Sequence, residues 1–365
     1  MKREIGCTVL LWAVLTSNGL AATAEDALLC LSQSDLLCAQ EVQIELERSR
    51  PDSMDLAQVE VWNAFHEGEY ADALLAMDRL RERGIDLEVD ESHTPYRASA
   101  ESSRGMEVHR GPGVEVRVAP GVDRIVAEEA VLALVEIKKE TNALFGGGPE
   151  HTIVLDVFPT GTRFIGASGI PPEAVQTTGV VALSKWTRLL LTSPRALARG
   201  YAWKDTVAHE YIHLVVAYRS KDNAPVWLQE GLAKFLESQW EDGSTGELSV
   251  HHQSLLAQAV RTENFVPFKK FARSMAYLDS GDEAALAFAQ VATMVQYLSE
   301  RAGMEVFPEL MDLLSMGVPA EQAVASLANH TGFADFREGW LRWLKTQPLI
   351  AEELGALPLV LDGAG

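Results

Sequence analysis

The stretch that most constrains this chain is His209-Glu210-Tyr211-Ile212-His213, set inside an amphipathic run from Thr206 to Ala217. Residues four apart share one face of an α-helix, so both imidazoles point at one spot. Neutral imidazole is a borderline donor that suits Zn²⁺. Glu210 projects in a neighbouring direction, close enough to touch a metal-bound water without being a ligand. That places a general base beside an acidified water. The third ligand comes from Trp227-Leu228-Gln229-Glu230-Gly231, at the start of a second helix. Asn223-Ala224-Pro225 breaks the chain between the two helices, which lets them run antiparallel. His209, His213 and Glu230 would then form a His₂Glu set with an open fourth position.

The pattern around this pair of helices predicts an α+β unit. Val114, Val116 and Val118 alternate with charged residues, as in a strand with one buried face. An amphipathic helix follows over 122–145 and stops at Gly146-Gly147-Gly148-Pro149. Further strands are expected at Ile153 to Phe158, Gly179 to Ser184 and Arg188 to Thr192. Helices are expected at 203–219 and 226–239. A polar loop after residue 240 leads into a helix. Helices at 283–302, 304–315, 319–329 and 333–346 are punctuated by Gly303, Gly317 and Gly332. Strands packed with a helix and followed by helices alone make one catalytic unit.

Upstream, residues 25–84 read as wholly helical. Trp62 to Leu75 resembles one tetratricopeptide-like hairpin, broken at Gly68. A solenoid needs several such units, so this piece is a helical cap or a docking surface for a protein partner. The expected organisation is a signal peptide (1–24), a helical hairpin unit (25–84), a linker (85–105), a catalytic subdomain (106–240), a helical subdomain (241–347) and a tail (348–365).

The N-terminus carries Lys2 and Arg3, an apolar run from Val9 to Leu15, and Ala22-Thr23-Ala24 as a small-residue cleavage site. The apolar run is too short to span a bilayer. The expectation is export, to a periplasm or beyond the cell, with no stable membrane span after cleavage. Cys7 precedes the apolar run, which disfavours a lipid anchor. Cys30 and Cys38 remain after cleavage; an even count in an exported chain predicts one disulfide across the Ser32–Asp35 junction, with two buried free thiols as the alternative. The net charge of −21 over 365 residues argues against nucleic acid or an anionic membrane as partner.

The motifs HEYIH (209–213) and WLQEGLAKF (227–235) resemble the gluzincin zinc metallopeptidases, and among them the peptidase MA-like family of exported bacterial proteins. The resemblance covers roughly residues 106–347, most specifically 203–239. It implies a small mixed sheet stacked on the active-site helix, then a helical subdomain. It implies zinc on His209, His213 and Glu230, with Glu210 as base and a peptide or protein as substrate. It also implies an acidic residue at Asp205 that orients an imidazole, with a helix-dipole role as the alternative. The strand at Gly179 to Ala182 would be a sheet edge that pairs with extended substrate, the alternative being an interior strand. Relatives often carry Tyr-Ala-Gln-Ser where this chain has Phe288-Ala289-Gln290-Val291. If that Tyr donates to the oxyanion, Phe288 cannot; Tyr277 is a candidate substitute, with a buried packing role as the alternative. His251 and His252 read as solvated surface, and His66, His93, His109, His151 and His330 show no partner pattern.

The expected function is zinc-dependent peptide-bond hydrolysis through a metal-activated water, with Glu210 as general base. Two alternatives remain at this level: a zinc-containing binding module that has lost turnover, which Phe288 favours and Glu210 opposes, and a hydrolase of non-peptide amides or esters.

Overall fold

The computed structural model describes residues 21–86, 95–171, 179–272, 275 and 278–350. The described residues open with two helical hairpins. The first pairs α1 (Ala24–Ser32) with α2 (Leu36–Ser49), and Cys30 is bonded to Cys38 across the turn, with Cα atoms 5.6 Å apart. Closing so short a loop contributes about 2–3 kcal/mol in the chain-entropy picture. Thr23 caps α1 with a capping box to Asp26. Cleavage after Ala24 would remove that cap, at a cost of about 1 kcal/mol. The second hairpin pairs α3 (Met54–His66) with α4 (Tyr70–Glu82) around Gly68, whose φ is +77°. A helical hairpin therefore stands where the sequence suggests one, broken at Gly68.

The expected linker at 85–105 is in part a helix: α5 (Tyr96–Ser103) buries Tyr96, Ser99 and Ser102. Its serines disguised it, because Ser99 Oγ donates to Ala167 O (3.0 Å) in a packed interface and does not face water. Residues 87–94 of that linker, including His93, lie outside the described residues, as do residues 1–20 of the expected signal peptide and residues 351–365 of the expected tail.

Among the described residues the sheet has five strands, in the order β1-β2-β3-β5-β4. These are β1 (Glu107–Gly111), β2 (Val114–Val118), β3 (Ile153–Phe158), β4 (Ala182–Lys185) and β5 (Arg188–Thr192). The β1–β2 and β4–β5 pairs are antiparallel and the two central pairs parallel, so the sheet is mixed. Strand β1 was not foreseen: Glu107-Val108-His109-Arg110 buries no side chain fully and lacks an apolar alternation. Between the strands run α6 (Arg124–Leu144) and an unforeseen short helix, α7 (Gly161–Ser168), capped by Thr160 and closed by left-handed Gly169.

One sheet face follows the expected alternation. Val114, Val116, Val118, Leu155, Val157, Leu189 and Leu191 form one core with α6 and with α8 (Trp203–Ser220). The other face carries Glu115, Arg117, Asp156 and Arg188, all buried. The N-terminal helices and α7 cover this charged face. Arg117 donates to Glu115 (2.7 Å) and to the carbonyls of Gly68 and Glu67. Tyr70 donates to Asp156 (2.7 Å), and Arg188 reaches both Asp156 (3.3 Å) and Tyr70 while lying over the rings of Phe65 and Tyr70. The N-terminal unit is thus fastened to the catalytic sheet through buried, charge-assisted hydrogen bonds.

Two histidines without an obvious sequence partner belong to this seam. The β4–β5 turn places Trp186 and Thr187 at φ +53° and +58°. His151 Nε2–H donates to Thr187 O (3.3 Å), and the hydroxyl of Thr187 lies 3.3 Å from His66 Nδ1. Burial, with Arg188 and His151 nearby, holds His66 down to about 3; burial, with Lys138 nearby, holds His151 down to about 4. Both are neutral when folded but titrate near 6.5 when unfolded, so the unfolded chain binds more protons in acid. Their contribution is intact above about pH 6.5 and is lost as pH falls, on the order of 3 kcal/mol each by pH 4. Thermal melts between pH 7 and pH 4 should show a steep loss of Tm. His151→Gln, which keeps an N–H donor but cannot charge, should flatten that slope; an equally steep slope would contradict the assignment.

Beyond the sheet, α8 ends where Lys221 and Asp222 adopt left-handed φ values, and Pro225 starts α9 (Val226–Leu236). A short helix, α10 (Gln239–Asp242), precedes α11 (Val250–Thr262) and α12 (Phe268–Phe271). The helical subdomain is completed by α13 (Gly281–Ala302), α14 (Val306–Ser315), α15 (Ala320–Leu327) and α16 (Phe333–Leu344). Each of these last four begins or ends within a few residues of expectation. Among the described residues, no helix is long and apolar enough to cross a membrane.

Candidate active site

Helix α8 packs one face against β4, β5 and α6 through Val207, Ala208, Tyr211, Ile212 and Val215, all nearly inaccessible to solvent. Tyr211 also donates to Asn142 of α6 (2.8 Å). With that face fixed, His209, Glu210 and His213 look the other way. The two imidazoles lie one turn apart, ring centroids 5.0 Å apart and planes at 75°.

Helix α9 brings the third group. Glu230 Oε2 is 3.4 Å from His209 Nε2 and 3.6 Å from His213 Nε2. One donor atom from each of the three residues lies within 4.8 Å of the others. In a tetrahedral zinc centre with bonds of about 2.0–2.1 Å, donor atoms sit roughly 3.3 Å apart. Two imidazole nitrogens and a carboxylate oxygen at these separations fit that ion in both geometry and donor chemistry.

The approach of α9 depends on Gly231. A Cβ there would stand 2.9 Å from Val291 O and 2.9 Å from Val295 Cγ2 of α13. The bare glycine lets α9 lie against α13 and so sets the depth of Glu230. Gly231→Ala should push the two helices apart, costing about 1–3 kcal/mol, and should weaken zinc retention by moving the neighbouring carboxylate. Isothermal titration with zinc checks this; unchanged affinity would show that Glu230 is positioned otherwise.

Glu237, which the sequence reading passed over, completes the surroundings. It accepts from His209 Nδ1–H (3.0 Å) and from the Lys234 ammonium. In the neutral, metal-binding form, holding the proton on Nδ1 would leave the Nε2 lone pair facing Glu230 and His213. The spacing carried the signal: Glu230, Lys234 and Glu237 lie four and seven residues apart, on one helical face. Asp205, expected to orient an imidazole, accepts instead from Trp240 Nε1 (3.2 Å). Its place one turn before His209 aims it along α8, while Glu237 reaches His209 from across the helix pair.

The carboxylates around these histidines polarise the cluster. Burial disfavours the His209 cation, but hydrogen bonds to Glu230 and Glu237 outweigh it and raise the group to about 10. Burial likewise disfavours the Glu230 anion, yet His213 and His209 hold it well below the usual carboxylate range. Glu210 moves the other way: burial raises it, with Glu230 adding to the rise, while the two histidines and the Ser184 N–H oppose it. A carboxylate raised above its ordinary value is a stronger base.

Ser184 belongs to the sheet edge beside the base. Strand β4 is the last in the sheet, so the expected edge strand is present, shifted to Ala182–Lys185. Thr192 N–H donates to Val181 O (2.7 Å). Pairing alternates along an antiparallel ladder, so Ala182 and Ser184 turn their backbone groups outward, away from β5. The Ser184 N–H lies near enough to Glu210 to oppose the rise of its carboxyl; Ala182, on the same side of the strand, is buried.

The remaining sequence candidates separate. Phe288 is half-buried on α13, and Tyr277 lies outside the described residues. His251 is at the surface, 3.2 Å from Asp282. His252 is not simply solvated: burial, with Lys234 and His251 nearby, lowers it to about 4, opposed by Glu237. His330 packs against Tyr297, whose hydroxyl is 2.9 Å away, and away from the site.

No curated protein matches the chain at a significant level. The model of the Peptidase MA superfamily matches residues 130–346. The match takes in more than half of the chain, including α8, α9 and the edge strand β4, and suggests a peptidase-type function; the protein therefore belongs to the Peptidase MA superfamily.

Proposed function

We propose that the protein is an exported zinc-dependent metallopeptidase in which His209, His213 and Glu230 would hold the metal and Glu210 is the general base. The observation that carries this reading is the close cluster of those three donors beside Glu210. When bound, zinc would acidify a water and polarise the scissile carbonyl.

The chain's own groups account for the rest. Glu210, kept basic by burial, takes the proton of the attacking water and delivers it to the leaving amine. Glu237 holds His209 in one tautomer and one orientation. The β4 edge at Ser184 and Lys185, beside Glu210, is where an extended peptide would add a strand to the sheet. The Cys30–Cys38 bridge supports an oxidising compartment, in keeping with export.

The test is a peptide-library digest by the protein lacking residues 1–24. Hydrolysis should stop on chelation and return on adding zinc. If neither form cleaves any peptide, a zinc-containing binding module becomes the better reading. Phe288 is the observation that favours that second reading, and Phe288→Tyr gives it a direct check: gain of hydrolysis would show that only an oxyanion donor was missing.

A further inference from the structure

A cavity of about 560 Å³ opens beside the site, and its walls come from both halves of the chain. His213, Gln229 and Ser184 form the wall shared with the catalytic centre; Leu28, Trp62 and Phe65 of α1 and α3 form the opposite wall. We infer that this cavity receives a bulky apolar side chain of the peptide substrate, flanking the scissile bond, and that the N-terminal helical unit is the wall that selects it. The inference rests on the metallopeptidase reading and names the substrate class for the same site.

Three observations point this way. First, the cavity adjoins the donor cluster: His213 belongs to both, and Ser184 of the lining stands near Glu210. A peptide laid along the β4 edge alternates its side chains between two directions, which turns one residue next to the reacting bond toward the cavity mouth. Second, the far wall is apolar where it need not be. Leu28 is 53% exposed although it sits on a packed helix, and Trp62 is only partly covered. Lys185, which also lines the space, directs its ammonium to Ser168 O (3.2 Å) and over the Trp186 ring (4.2 Å). Third, the wall is held in place. Tyr70, Asp156 and Arg188 fasten the hairpin unit to the sheet, and Phe65 packs edge-on against Trp186 (5.1 Å). The lining also carries polar groups, among them Ser32, Ser34, His66, Asp222 and Gln229, so the apolar selection comes from the far wall of Leu28, Trp62 and Phe65, whose rigid placement suits a side-chain pocket.

The test compares peptides that differ only at the positions flanking the scissile bond, with Phe or Ala there. Filling an apolar pocket is worth roughly 10- to 100-fold in kcat/KM, so the parent should prefer Phe by at least about tenfold at one position. Leu28→Asp places a charge on the wall at a site already open to solvent, and circular dichroism should show an intact fold. It should cut the Phe-to-Ala preference at that position at least fivefold and leave the preferences at other positions in place. An unchanged preference, or none in the parent, would overturn the inference. If no peptide is cleaved, the metallopeptidase reading fails first. The pocket is then judged by anisotropy of a fluorescein-labelled Phe peptide on the Glu210→Gln protein. Binding that Leu28→Asp weakens upholds it; binding that ignores Leu28, or no binding, refutes it.

Discussion

Replacing Glu210 with Gln is expected to slow peptide hydrolysis by about 10²- to 10⁴-fold, the usual range for loss of a general base. Gln keeps the size of the side chain and its hydrogen-bonding capacity but cannot take a proton from water. Strand β4 is held by its pairing with β5, so it should stay where it is. Glu210 is not one of the three clustered donors. Zinc content and Tm should therefore remain near those of the parent. Stopped assays on matched, zinc-replete preparations make the comparison. A variant as fast as the parent would place the activity in another site or in a contaminant.

The second large effect is expected at Glu230. Glu230→Ala removes the carboxylate that closes the donor set and leaves two imidazoles facing a gap. Loss of an outer contact such as Glu237 costs a metal site about 10- to 100-fold in affinity; loss of a ligand should cost at least as much. His209 would still hold its contact with Glu237, so the helix pair should survive while the metal is lost. Competition with a chromogenic chelator measures the difference. Equal zinc retention in parent and variant would mean that the third ligand lies elsewhere.

The site was legible in sequence because its spacings are local. His209, Glu210 and His213 lie within a turn and a half of one helix, and Pro225 announced the next helix with Glu230 near its start. The strands that shape the core were legible too, since Val114, Val116 and Val118 alternate cleanly. What escaped was decided by packing between distant parts. Glu237 reaches His209 only once α8 and α9 are folded against each other, and Asp205, equally placed by sequence, is drawn to Trp240. Glu115, Arg117, Asp156 and Arg188 resemble a solvent face until the N-terminal hairpins close over them. The same closure makes a helix of Tyr96–Ser103 inside an expected linker. Nothing in the spacing of Leu28 and Trp62 says that they face the catalytic helix across a cavity.

The central claim is that His209, His213 and Glu230 hold one zinc ion beside Glu210. Crystals of the zinc-loaded protein, measured on either side of the zinc absorption edge, test it most directly. The account predicts a single anomalous peak within bonding distance of both Nε2 atoms and a Glu230 oxygen. A strong peak at other residues, or none at this cluster with zinc in excess, would contradict it.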